Sequence, residues 1–158
     1  MSAACVSDKI YDAFYDDYNT GKAFMHSHTY AGNPLACSAA LAVQRILREQ
    51  NILQNAAENA KYLTEELTSA LGSHPNVGEI RHIGLVHAIE LVADKQNKTP
   101  FDSKRRLGYE IYKRALKRGL LLRPLGDVLY FNPPLIINRD EIKFAVDTAR
   151  VSISELCK

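Results

Sequence analysis

A chain of 158 residues, 46% hydrophobic and 24% charged, has room for one core and the balance of a water-soluble globular domain. A net charge of +2 with no Lys/Arg block gives neither nucleic acid nor a membrane surface an electrostatic reason to bind, and no apolar run is long enough to cross a bilayer. Cys5, Cys37 and Cys157 are odd in number, far apart and outside any C-x-x-C. They argue for reduced thiols in a cytoplasmic protein, as does an N-terminus that is acidic and aromatic where a signal peptide is basic and apolar.

In chain order, Ile10, Phe14 and Tyr18 stand four apart and predict a short helix over 8–18, ended by the polar Asn19-Thr20-Gly21-Lys22. At Asn33-Pro34 an extended segment turns through Gly32 into a helix. Asn33 can accept a backbone N–H as N-cap, and Pro34 suits the first helical position, where no N–H is required. Apolar residues then recur at helical spacing from Ala36 to Leu47, with Ala36, Ala39 and Ala40 forming a small-residue face. Asn51 restarts the pattern, and Ala56, Ala60, Leu63, Leu67 and Leu71 mark a second helix that stops at Gly72.

The character changes after Gly72. Val77–Ile83 and Leu85–Val92 are short β-branched-rich runs on either side of Gly84 and predict paired strands. A polar loop over 95–99 leads to a helix through Leu107, Ile111, Ala115 and Leu116, closed by Gly119. Leu120–Arg123 and Val128–Phe131 predict two strands joined at Pro124-Leu125-Gly126-Asp127. Asn138 or Asp140 can open a last helix with Ile142, Ala145, Val146, Ala149 and Ile153 on one face. The expected arrangement is residues 1–33 as a piece of a larger domain and the remainder as a compact α+β unit, helices packed on a small, largely antiparallel sheet.

Several residues invite chemistry. Thr29 places a hydroxyl just before the entry of a helix, where unpaired amides and the helix dipole can hold a phosphate; the same pattern also serves as an ordinary capped helix start. Arg123 is held extended by Pro124, so its guanidinium can meet a carboxylate with two parallel hydrogen bonds or can join a structural ion pair. Tyr130 reads either as a pocket residue or as a ring packed in a core. His26 and His28, two apart in an extended segment, point to one side, but no further ligand stands at metal spacing and no metal is expected. His87 and Glu90 lie in an apolar strand and read as satisfied core or interface partners.

The run H-x-H-T-Y-x-G-N-P-L-A-C-x-A-A-L, starting at His26, resembles the segment of class III pyridoxal-phosphate aminotransferases that follows the cofactor lysine. R-P-L-G-D-V-L-Y-F-N-P-P, starting at Arg123, is similar to a family segment in which an arginine clamps the carboxylate of a keto substrate. The resemblance covers nearly the whole chain but only the C-terminal part of such an enzyme. It implies part of the α/β fold type I of pyridoxal-phosphate transferases, with 1–33 as the end of the large cofactor domain, 34–72 as connecting helices and 73–158 as the C-terminal small domain with a short, mainly antiparallel sheet. It further implies His28 and Thr29 at the cofactor phosphate, with Thr29 supplied across a homodimer interface, and Ser27, Arg123 and Tyr130 at the substrate. Some members carry Gly-Pro-Thr in place of Ser27-His28-Thr29, so the hydroxyl of Thr29 is the firmest of the loop assignments.

The implied activity moves an amino group from a donor, S-adenosylmethionine or lysine, to the ketone of 8-amino-7-oxononanoate in biotin biosynthesis, with pyridoxal 5'-phosphate as cofactor. The Schiff-base lysine and the carboxylate facing the pyridinium nitrogen precede this chain in the family, and Met1-Ser2-Ala3-Ala4 matches a site just past that lysine. Lys9, Lys22 and Lys61 lie in polar or helix-surface contexts without the lysine's motif. The expectation is a chain with no catalytic residue of its own, inactive in isolation, with a separate N-terminal half as its candidate partner. Two other readings stay open: part of another class III aminotransferase acting on an ω-amino acid, or a non-catalytic orphan domain.

Overall fold

Residues 2–157 are described in the computed structural model of the chain, which divides into two units, Met1–Gln50 and Asn51–Lys158. The division falls between the two long helices. Among the described residues, no helix is long and apolar enough to cross a membrane.

The first unit is built by local rules. Helix α1 spans only Asp8–Asp12, and Tyr18–Thr20 forms a separate 3-10 turn closed by Gly21 at φ +68°. The helix expected to run to Tyr18 is therefore shorter. Asp12, Asp16 and Asp17 would crowd negative charge at its C-terminal end, where the helix dipole disfavours it. Phe14 instead meets Phe24, ring centroids 5.3 Å apart. Helix α2, Pro34–Glu49, starts as its sequence dictates: Asn33 Oδ1 accepts from the amides of Leu35 and Ala36 at 3.0 and 3.1 Å, with Pro34 in the first turn. No described residue of this unit is buried.

The second unit has a core. Helix α3, Ile52–Leu71, buries Ile52, Ala56, Ala60, Leu63, Leu67 and Leu71 along one stripe. Strands β1 (Val77–Ile83) and β2 (Val86–Leu91) form a hairpin whose turn begins at Gly84, φ +53°. After helix α4, Leu107–Lys117, strands β3 (Arg123–Leu125) and β4 (Val128–Phe131) form a second hairpin with Gly126 at φ +58°. Both are tight turns whose first central residue needs positive φ, which glycine adopts without strain. Helix α5, Arg139–Leu156, opens on a capping box in which Asn138 and Glu141 satisfy each other's backbone amides.

The four strands form one antiparallel sheet in the order β1-β2-β4-β3. One expectation shifts: Leu120–Leu122 lie outside the strands, and β3 begins at Arg123. Leu122 is instead buried in the core after the left-handed Gly119. Pro124, with no N–H to give, is tolerated because β3 is an edge strand. Successive residues alternate faces, and paired residues share one. The row Ile80–Ile89–Leu129–Pro124 turns to the core that α3, α4 and α5 complete, where Ile89 and Leu129 are wholly buried. The neighbouring row, Arg81–Ala88–Tyr130–Arg123, turns to the opposite face.

The second hairpin is anchored at its turn. Gly108 N–H donates to Asp127 Oδ1 at 3.0 Å, and Leu91 N–H donates to the Asp127 carbonyl at 3.0 Å. A Cβ at Gly108 would collide with the Gly126 carbonyl, so α4 and this turn approach as only glycine permits. These contacts fix where Arg123 and Tyr130 stand on the sheet.

Candidate functional site

The residues singled out by sequence fall into two groups, one in each unit. In the first unit Ser27, His28 and Thr29 are exposed on the segment leading to α2. His28 C=O accepts from Ala31 N–H at 2.9 Å and Tyr30 C=O from Asn33 N–H at 3.1 Å, two successive turns that end with Gly32 at φ +70°. The helix mouth itself is closed by the expected asparagine cap. Asn33 takes the amides of Leu35 and Ala36 with its side chain and that of Cys37 with its carbonyl. One turn earlier, the hydroxyl of Thr29 and the backbone N–H groups of Thr29, Tyr30 and Gly32 have no hydrogen-bond partner among the described residues. Between Asp17 and Glu49 the chain has no carboxylate side chain. A hydroxyl and free amides in a segment without acids suit a phosphate. His26 and His28 meet edge to face, centroids 4.8 Å apart, and His26 stacks on Phe24 at 5.4 Å.

In the second unit, Arg123 and Tyr130 are brought together. They are directly paired across β3 and β4 and share the sheet face turned from the helices. Arg123 is exposed, and among the described residues its guanidinium has no hydrogen bond or ion pair. Tyr130 is half-buried and borders a cavity of about 290 Å³ whose lining includes Leu63, Ile142 and Phe144 of α3 and α5 but not Arg123, so the cavity lies on the helix side. A free guanidinium beside a phenol can hold a carboxylate.

Sequence reasoning missed Arg81, which closes the same row. Its Nη1 lies 2.5 Å from Glu90 Oε2 and 3.3 Å from Glu79 Oε2. The hydrogen-bonded Glu90 carboxylate raises the Arg81 pKa most; Glu79 and the Tyr130 phenol add to it, and desolvation opposes. The signal that could have found Arg81 was the hairpin itself: Gly84 sets Arg81 opposite Ala88. His87 is wholly buried. Its Nδ1 faces the Leu85 carbonyl at 3.2 Å, which requires the proton there, and its Nε2 lies 2.9 Å from Thr64 Oγ1. Burial pushes its pKa down, with His82, stacked 4.8 Å away, acting in the same direction. This is a satisfied core histidine that fastens the first hairpin to α3.

The family Aminotransferase class-III matches residues 1–151. An adenosylmethionine-8-amino-7-oxononanoate aminotransferase of Nitratidesulfovibrio vulgaris is 39% identical over 153 residues, covering 97% of this chain and 28% of the relative. The enzyme of the same name from Aquifex aeolicus is 37% identical over 158 residues, covering 100% of this chain and 35% of the relative. The crystal structure of the Methanocaldococcus jannaschii protein of that name superposes with a TM-score of 0.89 at 35% identity, over 95% of this chain and 34% of that one. The chain spans about a third of the length of the curated relatives it matches.

Proposed function

The chain belongs to the class III aminotransferases, a pyridoxal-phosphate-dependent family, and on that premise we propose that it forms the C-terminal third of an enzyme converting 8-amino-7-oxononanoate to 7,8-diaminononanoate with S-adenosylmethionine or lysine as donor. In this reading residues 1–33 end the large domain, 34–72 connect, and 73–158 form the small domain. The observation that carries the proposal is the unpaired guanidinium of Arg123 paired in register with Tyr130, inside a segment similar to the family's carboxylate clamp.

The donor set of the Thr29 turn fits the cofactor's phosphate, with the Thr29 hydroxyl reaching the site of the partner subunit in a homodimer and the backbone at His28 beside it. When bound, pyridoxal phosphate supplies the carbonyl that carries the amino group and the ring that takes up electrons. Ser27 lines the substrate side of the same segment. Arg123 holds the acceptor's carboxylate through two N–H donors, with Tyr130 beside it on the same sheet face. Fixing the far end this way sets the ketone at one distance from the carboxylate, which selects acceptor length. In this reading the lysine that shuttles the proton belongs to the N-terminal part of the enzyme, and Lys9, Lys22 and Lys61 take no part in the chemistry.

The test combines the chain with the lysine-bearing N-terminal part of the Aquifex aeolicus relative and measures diaminononanoate formation. Arg123→Ala should lower kcat/KM for the oxo acid by about 10- to 150-fold, the worth of hydrogen bonds to a charged group, and leave the donor half-reaction intact. Equal turnover of ω-amino acid partners, or an Arg123→Ala variant that keeps its acceptor KM, would overturn the assignment.

A further inference from the structure

We propose that Asp127 is a positioning residue for Arg123: its side chain caps helix α4 and so locks the strand that carries the guanidinium. The inference rests on the carboxylate-binding reading of Arg123 above and adds a residue to it.

The need for a lock comes from the sheet. Strand β3 is three residues long and lies at the sheet's edge, paired with β4 alone. Arg123 is its first residue, at the end of the hairpin away from the turn. Two parallel hydrogen bonds to a carboxylate demand an aimed guanidinium plane. Pro124 fixes the local backbone of Arg123 but not the place of the strand.

Helix α4 has the complementary need. Its N-cap position is held by Arg106, left-handed at φ +47° and without a side-chain cap. A guanidinium has no acceptor to offer, and this one lies 4.6 Å over the Tyr109 ring. The acceptor comes instead from 19 residues beyond Gly108: Asp127 Oδ1 takes the Gly108 N–H at 3.0 Å. Gly108 is the second helical residue, where an N-cap oxygen ordinarily bonds. The carboxylate charge also suits the positive end of the helix dipole.

One residue serves both needs. The Asp127 carbonyl accepts from Leu91 N–H at 3.0 Å, so its backbone is tied to the end of β2 while its side chain holds α4. The cap draws Gly108 against the hairpin, where a Cβ would meet the Gly126 carbonyl and stand 3.3 Å from Pro124 Cβ. Pro124 is the neighbour of Arg123. Helix α4 therefore backs β3 at the residue beside the guanidinium, the second support that an edge strand otherwise lacks.

The experiment has two readouts. In the full chain, amide hydrogen exchange followed by NMR compares the β3–β4 ladder with α5. In the enzyme assembled as above, steady-state kinetics give the acceptor KM and single turnovers the donor half-reaction. Asp127→Ala should speed ladder exchange about tenfold more than that of α5 and raise the acceptor KM about three- to tenfold, with the donor half-reaction unchanged. Asp127→Asn, which keeps Oδ1, should stay close to the unchanged chain in both. In an Arg123→Ala background Asp127→Ala should raise KM no further, because it acts through the guanidinium. A ladder that exchanges no faster overturns the inference, as does a KM rise that is equal in both backgrounds, or one that is absent although Arg123→Ala produces it. If Arg123→Ala leaves the acceptor KM untouched while the ladder loosens as stated, the lock stands and the carboxylate reading of Arg123 is what fails. Should Asp127→Ala not fold, Asp127→Glu replaces it, keeping the charge but moving the acceptor by one methylene; an unmoved ladder and KM overturn the inference there too.

Discussion

Helices α2 and α5 start alike and end in different circumstances. Each opens on an asparagine that caps its own first turn, Asn33 in one unit and Asn138 in the other. Helix α5 buries Ile142, Ala145, Val146, Ala149 and Ile153, whereas α2 buries nothing and leaves Leu35, Leu41, Val43 and Ile46 exposed. The same contrast holds for the units around them: a continuous core in Asn51–Lys158, and an apolar hollow of about 620 Å³ lined by Val6, Ile10, Phe14 and Phe24 in Met1–Gln50. Capping and periodicity are enough to specify a helix. Stability needs a second apolar surface for it to cover.

The largest expected effect breaks or confirms this contrast directly. Leu67→Ala should cost about 2–5 kcal/mol of unfolding free energy in urea, because Leu67 is wholly buried against the sheet and helices. Val43→Ala in α2 should stay within about 0.5 kcal/mol, as an exposed substitution does. An equal loss at both positions would mean that α2 is buried in solution.

Cysteine reactivity sharpens the same contrast. Burial pushes the Cys157 thiol up to about 11, so near pH 8 its thiolate fraction is roughly a hundredfold below that of an ordinary thiol. Timed alkylation read by peptide mass should label exposed Cys5 first, half-buried Cys37 next and Cys157 only on unfolding. The linkage sign follows: the unfolded thiol ionises near 9 and the folded one later, so this contribution to stability is intact below pH 9 and is lost as pH rises toward 11.

Smaller effects separate local from global stability. Asn138→Ala should lower the global unfolding free energy by about 1 kcal/mol, since α5 belongs to the core. Asn33→Ala should instead speed hydrogen exchange at Leu35 and Ala36 without moving the global midpoint.

The least pronounced change is with pH. Burial lowers the pKa of His87, and of His74 with help from Lys95. The unfolded chain therefore binds protons, near the ordinary value of about 6.5, that the folded one refuses. Stability of the second unit should be complete above that pH and decline below it, measured as the urea midpoint at pH 7.5 against 5.5. A flat profile would place these imidazoles in water.

Much of this was legible in the residues because the signals are short-range. Asn33-Pro34 and Asn138 announce helix starts, Gly84 announces a hairpin, and the stripe from Ala56 to Leu71 announces the buried face of α3. What failed lay at edges. The extent of α1 and the first residue of β3 depend on which neighbour a side chain finds, Phe24 for Phe14 and the core for Leu122. The candidate site divides the same way. The segment from Arg123 to Pro134 pointed to Arg123 and Tyr130 by its residues, but only the hairpin register sets one opposite the other and adds Arg81 to their row.

By itself the order of residues determined the family, the caps, the turns and the period of every core-facing stripe, because each is written within a few neighbouring positions. Tertiary structure alone decided which guanidinium is free and which is held. Arg81 and Arg123 are both arginines of short strands, and although Pro124 marks Arg123 as extended, no neighbour in sequence says which of the two meets a carboxylate. Pairing β1 with β2 brings Glu90 to Arg81, whereas pairing β3 with β4 sets Tyr130 opposite Arg123 and, among the described residues, brings it no carboxylate. A charge is assigned its partner by what lies across the strand.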